Sequence, residues 1–105
     1  MHELSFFCMT TTCFEWDESK NDKNKTKHRV SFEVAQEVFY DRSRVVVADP
    51  LHSKSEVRLY CYGKVDGDVL TVRFTIRGDI IRIIGAGYWR HGRKVYNEKN
   101  KSGLH

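Results

Sequence analysis

The apolar residues of this chain are spaced unevenly, and the spacing predicts different elements in turn. Residues 1–12 show no periodicity, and Thr10-Thr11-Thr12 reads as linker, so this stretch is expected to be a poorly ordered extension. Cys13-Phe14-Glu15-Trp16 alternates large rings with smaller or polar groups and predicts a short strand. From Asp17 to Arg29 there is no large apolar residue, so hydrophobic periodicity gives no helix signal. Yet Asp17 suits a helix N-cap and Glu18 suits the first turn. Lys20, Asn24, Lys27 and His28 also stand at i, i+4, i+7 and i+8, which is one stripe of a helix. The segment is either a solvated helix or loop, as charge runs usually are, or its stripe faces something polar.

A plainer helix follows. Ser31 is a good N-cap, Phe32, Ala35, Val38 and Phe39 recur at helical spacing, and the helix is expected to end near Asp41. Val45-Val46-Val47 is β-branched and predicts a strand that Asp49-Pro50 closes, with His52-Ser53-Lys54 as loop. Asp66-Gly67 predicts a type I′ hairpin turn, and Gly78-Asp79 a second two-residue turn of type II′. Counting back from each turn fixes a register. Cys61 faces Val72, Leu59 faces Phe74 and Val57 faces Ile76 on one side. On the other side Tyr60 lies opposite Arg73, Arg58 opposite Thr75, Glu56 opposite Arg77, Thr75 opposite Arg82 and Arg73 opposite Ile84. This gives a sheet with one apolar face, which the Phe32–Phe39 helix can cover, and one arginine–tyrosine face: an α+β layer. After Gly85-Ala86-Gly87, the aromatic and basic run Tyr88 to Tyr96 forms a short helix or turn, with Gly92 arguing against a helix. Asn97 to His105 is polar and expected to fray. One domain is therefore expected over residues 13–97, between the extension and a polar tail at 98–105.

Composition sharpens this. The chain has 105 residues, enough for one core, and a formal net charge of +4. The positive excess is concentrated: residues 69–105 hold 8 basic and 2 acidic groups, while residues 1–68 hold 10 and 12. A phosphate-binding surface needs such concentration. Cys8, Cys13 and Cys61 form no CxxC pair, which argues against a disulfide framework or zinc site and for a reducing compartment. The apolar start is too short for a signal-peptide core, and no run reaches membrane-spanning length, so a cytoplasmic protein without membrane or cofactor is expected.

The polar sheet face is the first place to look for chemistry. It gathers Glu56, Arg58, Tyr60, Tyr62, Arg73, Arg77 and Arg82, with Arg90 and His91 beyond the last strand. Arginine grips phosphate through paired donors, and a tyrosine ring can carry an unstacked base. The alternative is a solvated face on which Glu56 and Arg77 form a cross-strand pair. His2, His28, His52, His91 and His105 show no HxxH or HExxH spacing, so no metal site is expected. His28 is either a general acid or base or a cap on the first helix's carbonyls. Cys61 reads as a buried small residue, not a nucleophile.

The block Phe14-Glu15-Trp16-Asp17, Lys20, Asn24, Lys27-His28 and Val30-Ser31-Phe32-Glu33 with Ala35 resembles the opening signature of BrnT family toxins. Phe39, Asp41, Asp49-Pro50, His52, Glu56 and Arg58 ahead of Gly63, and Arg82-Ile83-Ile84 continue the likeness over roughly residues 14–96. The resemblance implies a RelE-like α+β fold, with two N-terminal helices packed on a twisted antiparallel sheet and a short C-terminal helix. It implies metal-independent RNA cleavage that inhibits translation. It also implies a cognate BrnA-like ribbon-helix-helix antitoxin, through which the complex binds operator DNA. In such a ribonuclease Glu56, Arg58, Arg77, Arg82 and His28 are the candidate catalytic residues, with Glu56 or His28 as base and Lys27 or His91 as acid. Lys20, Lys27, Tyr60, Tyr62, Arg73, Tyr88, Arg90 and Arg93 are the candidate RNA contacts. The alternative is a non-catalytic RNA- or DNA-binding module, or an antitoxin-binding protein without catalysis. One departure bears on this: where many relatives carry Ser-Ala-Arg after the Arg-Ile-Ile strand, this chain has Gly85-Ala86-Gly87. If that arginine matters, Arg82, Arg90 or Arg93 must replace it.

Overall fold

A computed structural model of the protein describes residues 4–9, 12–50 and 56–101. The elements are β1 (Leu4–Met9), β2 (Thr12–Asp17), α1 (Glu18–His28) and α2 (Phe32–Ala35), which tightens into a 3-10 turn over Gln36–Tyr40. Then come β3 (Val45–Ala48), β4 (Arg58–Val65), β5 (Asp68–Arg77), β6 (Ile80–Gly87) and α3 (Arg90–Lys101). The six strands form one sheet in the order β1-β2-β6-β5-β4-β3.

The α+β class holds, but its arrangement differs from expectation. Two strands precede the helices, and the sheet is mixed, because β2 runs parallel to β6 while the other neighbours are antiparallel. A parallel neighbour needs a long crossover, and here both N-terminal helices and the β3–β5 meander supply it. Leu4–Met9, expected as a loose extension, pairs with β2 along its whole length. An edge strand of this kind is set by its neighbour more than by its own pattern. The cysteine spacing argued against a disulfide framework, yet Cys13 is disulfide-bonded. Cys8 is its Cα partner across the ladder, a juxtaposition that the CxxC rule does not consider. The loop assigned to His52-Ser53-Lys54 and the end of the polar tail lie outside the described residues.

The two hairpin turns form as their residues dictate. Asp66 and Gly67 both have positive φ, at 53° and 83°, and Gly78 alone does so in the second turn, at 61°. The β4–β5 register follows, with Cys61 opposite Val72, Tyr60 opposite Arg73 and Arg58 opposite Thr75. The β5–β6 register holds from Arg77↔Ile80 to Phe74↔Ile83 and then slips, so that Arg73 faces Gly85 where Ile84 was expected. This bulge adds one residue to β6 and bends it beside Arg73. On the apolar face Phe14, Trp16, Leu70, Val72 and Ile83 pack with Phe32, Ala35 and Val38 into the main core. Val57 and Ile76, at the far end of that face, remain exposed.

Helix α1 docks without apolar side chains. Asn21 and Asn24 are its buried residues. Asn21 accepts the Phe32 N–H at 2.8 Å and donates to Glu18 and Glu33. Asn24 donates to the carbonyls of Val30 and Ala86 at 2.9 Å each and accepts the Ala86 N–H at 3.2 Å. The last β2–β6 pair is Glu15↔Arg82, and farther along β6 the Asn24 amide takes up both backbone groups of Ala86. Of the stripe seen in the sequence, Asn24 thus faces something polar, whereas Lys20 and Lys27 are exposed.

Helix α3 is a full helix lying over β3, β4 and β5 on the other face, where Tyr62, Val69 and Tyr96 make a second small core. Gly92 is the reason it can lie so close. A Cβ there would stand 2.0 Å from Thr71 Oγ1 and 2.9 Å from the Tyr62 ring. The feature that argued against a helix is its contact point. The far end is tied by Asp41, which accepts Tyr96 O–H and Lys64 N–H, each at 2.7 Å. Burial opposes ionisation of Asp41, but these bonds and the one from Ser43 N–H outweigh it and hold its pKa below the ordinary 3.8. Gly92→Ala is expected to lower stability by about 1–2 kcal/mol, since overpacking exceeds the gain in helix propensity. Thermal unfolding checks this: the midpoint should fall by roughly 5–15 °C. An unchanged midpoint would mean that α3 does not approach this closely.

Candidate functional site

The α3 side of the sheet carries two clefts that share a wall. The smaller, of about 230 Å³, lies between the C-terminal end of α1 and the sheet and is lined by Asn24, His28, Tyr60, Arg73, Gly85 and Trp89 among others. The larger, of about 420 Å³, is mostly apolar and is bounded by Asp49, Tyr60, Tyr62, Thr71, Trp89 and His91, with Pro50 and Gly92 completing it. Tyr60 and Trp89 line both.

Local structure explains each placement. Helix α1 ends at Arg29, which adopts the left-handed conformation (φ 59°) and sends its N–H to the Lys25 carbonyl at 3.0 Å. The backbone therefore supplies the cap that His28 was a candidate for. The His28 ring instead stands edge-on to Trp89, with centroids 5.2 Å apart at 85°. Trp89 lies against the strand end because residue 87 is glycine: a Cβ there would come within 2.4 Å of the indole. Gly87 thus makes room for an aromatic wall. Tyr60 and Tyr62 stack nearly parallel, 6.1 Å apart at 7°. His91 meets the Tyr62 ring edge-on at 6.5 Å. Burial, then the neighbouring Tyr60 and Asp49, push the Tyr62 hydroxyl's pKa up, so it stays protonated.

Charges on this face divide sharply. Arg82 is held by Glu15 at 2.9 Å, with both side chains less than a fifth exposed. Glu56 lies between Arg77 at 3.5 Å and Arg58 at 3.9 Å. Among the described residues the Arg73 guanidinium makes no ion pair and no hydrogen bond, although its side chain is half-buried on the cleft wall. Among the described residues that line the two clefts, Arg73 is thus a cation left available to a ligand.

Of the residues singled out in the sequence, the structure gathers His28, Arg73, Tyr60, Tyr62 and His91 around the joined clefts. Glu56, Arg58, Arg77 and Arg82 share the face but lie toward its other end, in ion pairs and outside both clefts. Lys20 and Lys27 point to solvent from α1, as do Arg90 and Arg93 from α3. Tyr88 sits apart, beside Lys25 and Arg29. Cys61 is buried in the main core, which raises its pKa to about 12 and makes it a poor nucleophile. Sequence reasoning missed Asn24 as an anchor, Glu15 as the partner of Arg82, and Trp89, Thr71 and Asp49 as cleft walls. Among the described residues no three His, Cys, Asp or Glu side chains come together in a metal-binding group. No helix among them is long and apolar enough to cross a membrane.

A family model described as the ribonuclease toxin, BrnT, of type II toxin–antitoxin systems matches residues 16–92, a span that includes every residue lining the two clefts. No curated protein matches the chain.

Proposed function

The chain belongs to the BrnT family of type II toxin–antitoxin ribonuclease toxins, and on that premise we propose that it cleaves RNA in the cleft between α1 and the sheet. One observation carries the placement: Arg73, an arginine with no partner among the described residues, faces His28 and Tyr60 in a concave site. A buried phosphate needs such a cation, because a guanidinium already neutralised by a carboxylate has less to offer.

In the proposed reaction His28 takes the proton of a ribose 2′-hydroxyl. The 2′-oxygen attacks the adjacent phosphorus, and the bond from phosphorus to the 5′-oxygen breaks. His91 gives a proton to the leaving 5′-oxygen, so the products are a 2′,3′-cyclic phosphate and a 5′-hydroxyl. His91 suits the acid role better than Lys27, because it lies beyond the Tyr60–Trp89 wall that His28 also borders, whereas Lys27 is turned to solvent. Arg73 would neutralise charge on the phosphorane, so the reaction needs no metal ion. The paired arginines Arg58, Arg77 and Arg82 would follow the RNA strand beyond the cleft, as would the exposed Lys20, Arg90 and Arg93. Glu56 would keep its pair in place and not act as base.

The wider reading follows the family: a RelE-like fold, inhibition of translation in the cytoplasm, and neutralisation by a BrnA-like ribbon-helix-helix antitoxin that carries the complex to operator DNA. Incubating the purified protein with total RNA in EDTA, with and without the candidate antitoxin, tests it. Cleavage that persists in EDTA and stops when the antitoxin is added is the expected result. RNA that is bound but stays intact would replace the enzyme by a binding module.

A further inference from the structure

Cleavage as proposed draws on the smaller cleft and takes only His91 from the larger, whose remaining walls have no part in it. Its position and chemistry suit one occupant. It adjoins the Arg73 cleft through Tyr60 and Trp89, so a strand with its phosphate at Arg73 has one nucleotide within reach of it. The walls are flat rings: the Tyr60–Tyr62 stack, the Trp89 indole, and the His91 imidazole set edge-on to Tyr62. At about 420 Å³ it falls within the range of small-ligand pockets. Two polar groups interrupt the apolar lining. The Thr71 hydroxyl is buried and has no hydrogen-bond partner among the described residues, at the wall beneath Gly92. The Asp49 carboxylate, on a residue 3% exposed whose own N–H is bonded to Arg58 O, adds acceptor atoms. An unsatisfied buried hydroxyl is costly, and a ligand that reaches it recovers that cost.

We propose that this cleft binds the base of the nucleotide flanking the scissile phosphate, and that Thr71 and Asp49 select a base whose edge carries N–H donors. The proposal rests on the RNA-cleaving reading for its substrate. Stacking on aromatic rings is tolerant of sequence, whereas the two polar groups are not. Guanine, with donors at both N1 and N2, should therefore bind ahead of uracil, which has one. Discrimination would come from the pocket and cleavage from its neighbour.

Trp89 provides a direct readout, because it is partly exposed while Trp16, the other tryptophan, is fully buried. The titrants are dinucleotides with 2′-deoxyribose at the scissile link, which cannot be cut, including one that lacks the flanking base. The expected result is quenching of Trp89 that saturates with guanine at lower concentration than with uracil and is lost for the abasic compound. Thr71→Val should reduce the guanine preference roughly 3- to 10-fold, the range of one neutral hydrogen bond, and Thr71→Ser should restore it. Equal affinity for all dinucleotides, abasic included, would overturn the proposal and leave the ribonuclease reading intact. Base-dependent quenching in a protein that cuts no RNA would keep the pocket and remove the enzyme.

Discussion

Replacing Arg73 with alanine is expected to lower the rate of RNA cleavage by about 10²–10³-fold, the usual effect of removing one preorganised charge from a transition state. The size follows from Arg73's surroundings. It sits on β5 beside the bulge in β6, opposite a residue with no side chain to crowd it, and no described carboxylate neutralises it. Its charge is therefore available to the phosphate as the fifth oxygen approaches. Arg77 provides the control, since it is half-exposed and already faces Glu56. Arg77→Ala should change the rate less than about 5-fold, because solvent screens an exposed pair. Single-turnover cleavage of one defined RNA, with circular dichroism to confirm both folds, separates them. If Arg77→Ala were the crippling change and Arg73→Ala the mild one, the phosphate would belong among the paired arginines.

The largest effect on stability is expected from Asn24→Leu. The substitution keeps the branched shape and removes three bonds, leaving the Ala86 N–H and the carbonyls of Ala86 and Val30 without these partners. Each stranded backbone group costs about 1–3 kcal/mol, so the total reaches about 3 kcal/mol or more against a typical domain stability of about 5–15 kcal/mol. Because α1 has no apolar residue to hold it, it should detach and take His28 with it. Denaturant unfolding should show the loss, and cleavage should vanish at concentrations where the sheet is still folded. Lys23→Ala, on the exposed side of the same helix, should stay within about 0.5 kcal/mol of the parent. A tolerant Asn24→Leu would mean that α1 is held by something else.

These two positions also show what the chain discloses before it folds. The turns were legible because positive φ at Asp66, Gly67 and Gly78 is a local demand that few residues meet. From them the β4–β5 ladder and the two faces of the sheet follow by counting. The count fails at Arg73, where the bulge lets Gly85 stand in for Ile84, and nothing local announces it. Helix α1 was half legible. Its N-cap Asp17 was read correctly and Asn24 lay on the right stripe, but the C-terminal cap falls to Arg29 and not His28. Asn21 escaped, because amides that bond to distant backbone leave no mark in a hydrophobic pattern. The family resemblance offered candidate residues, and ion pairing separates those already occupied from those left open to a ligand. Glu15 lies 67 residues from Arg82, so the sequence could not say which arginine would be occupied and which left over. Gly87 and Trp89 offered one usable signal, a glycine two residues before a large ring, and Gly92 was misjudged because helix propensity ignores what the helix rests on.

The most direct test of the central claim is the chemistry of the cut ends. A defined oligoribonucleotide would be cleaved by the protein in EDTA, beside a copy with 2′-deoxyribose at the cleavage position, and the products resolved by mass. The account requires a 2′,3′-cyclic phosphate on the upstream fragment, a 5′-hydroxyl on the downstream one, and no cleavage of the deoxy-substituted copy. A 5′-phosphate on the downstream fragment, or cleavage of the substituted copy, would contradict attack by the 2′-oxygen and with it the roles given to His28 and Arg73.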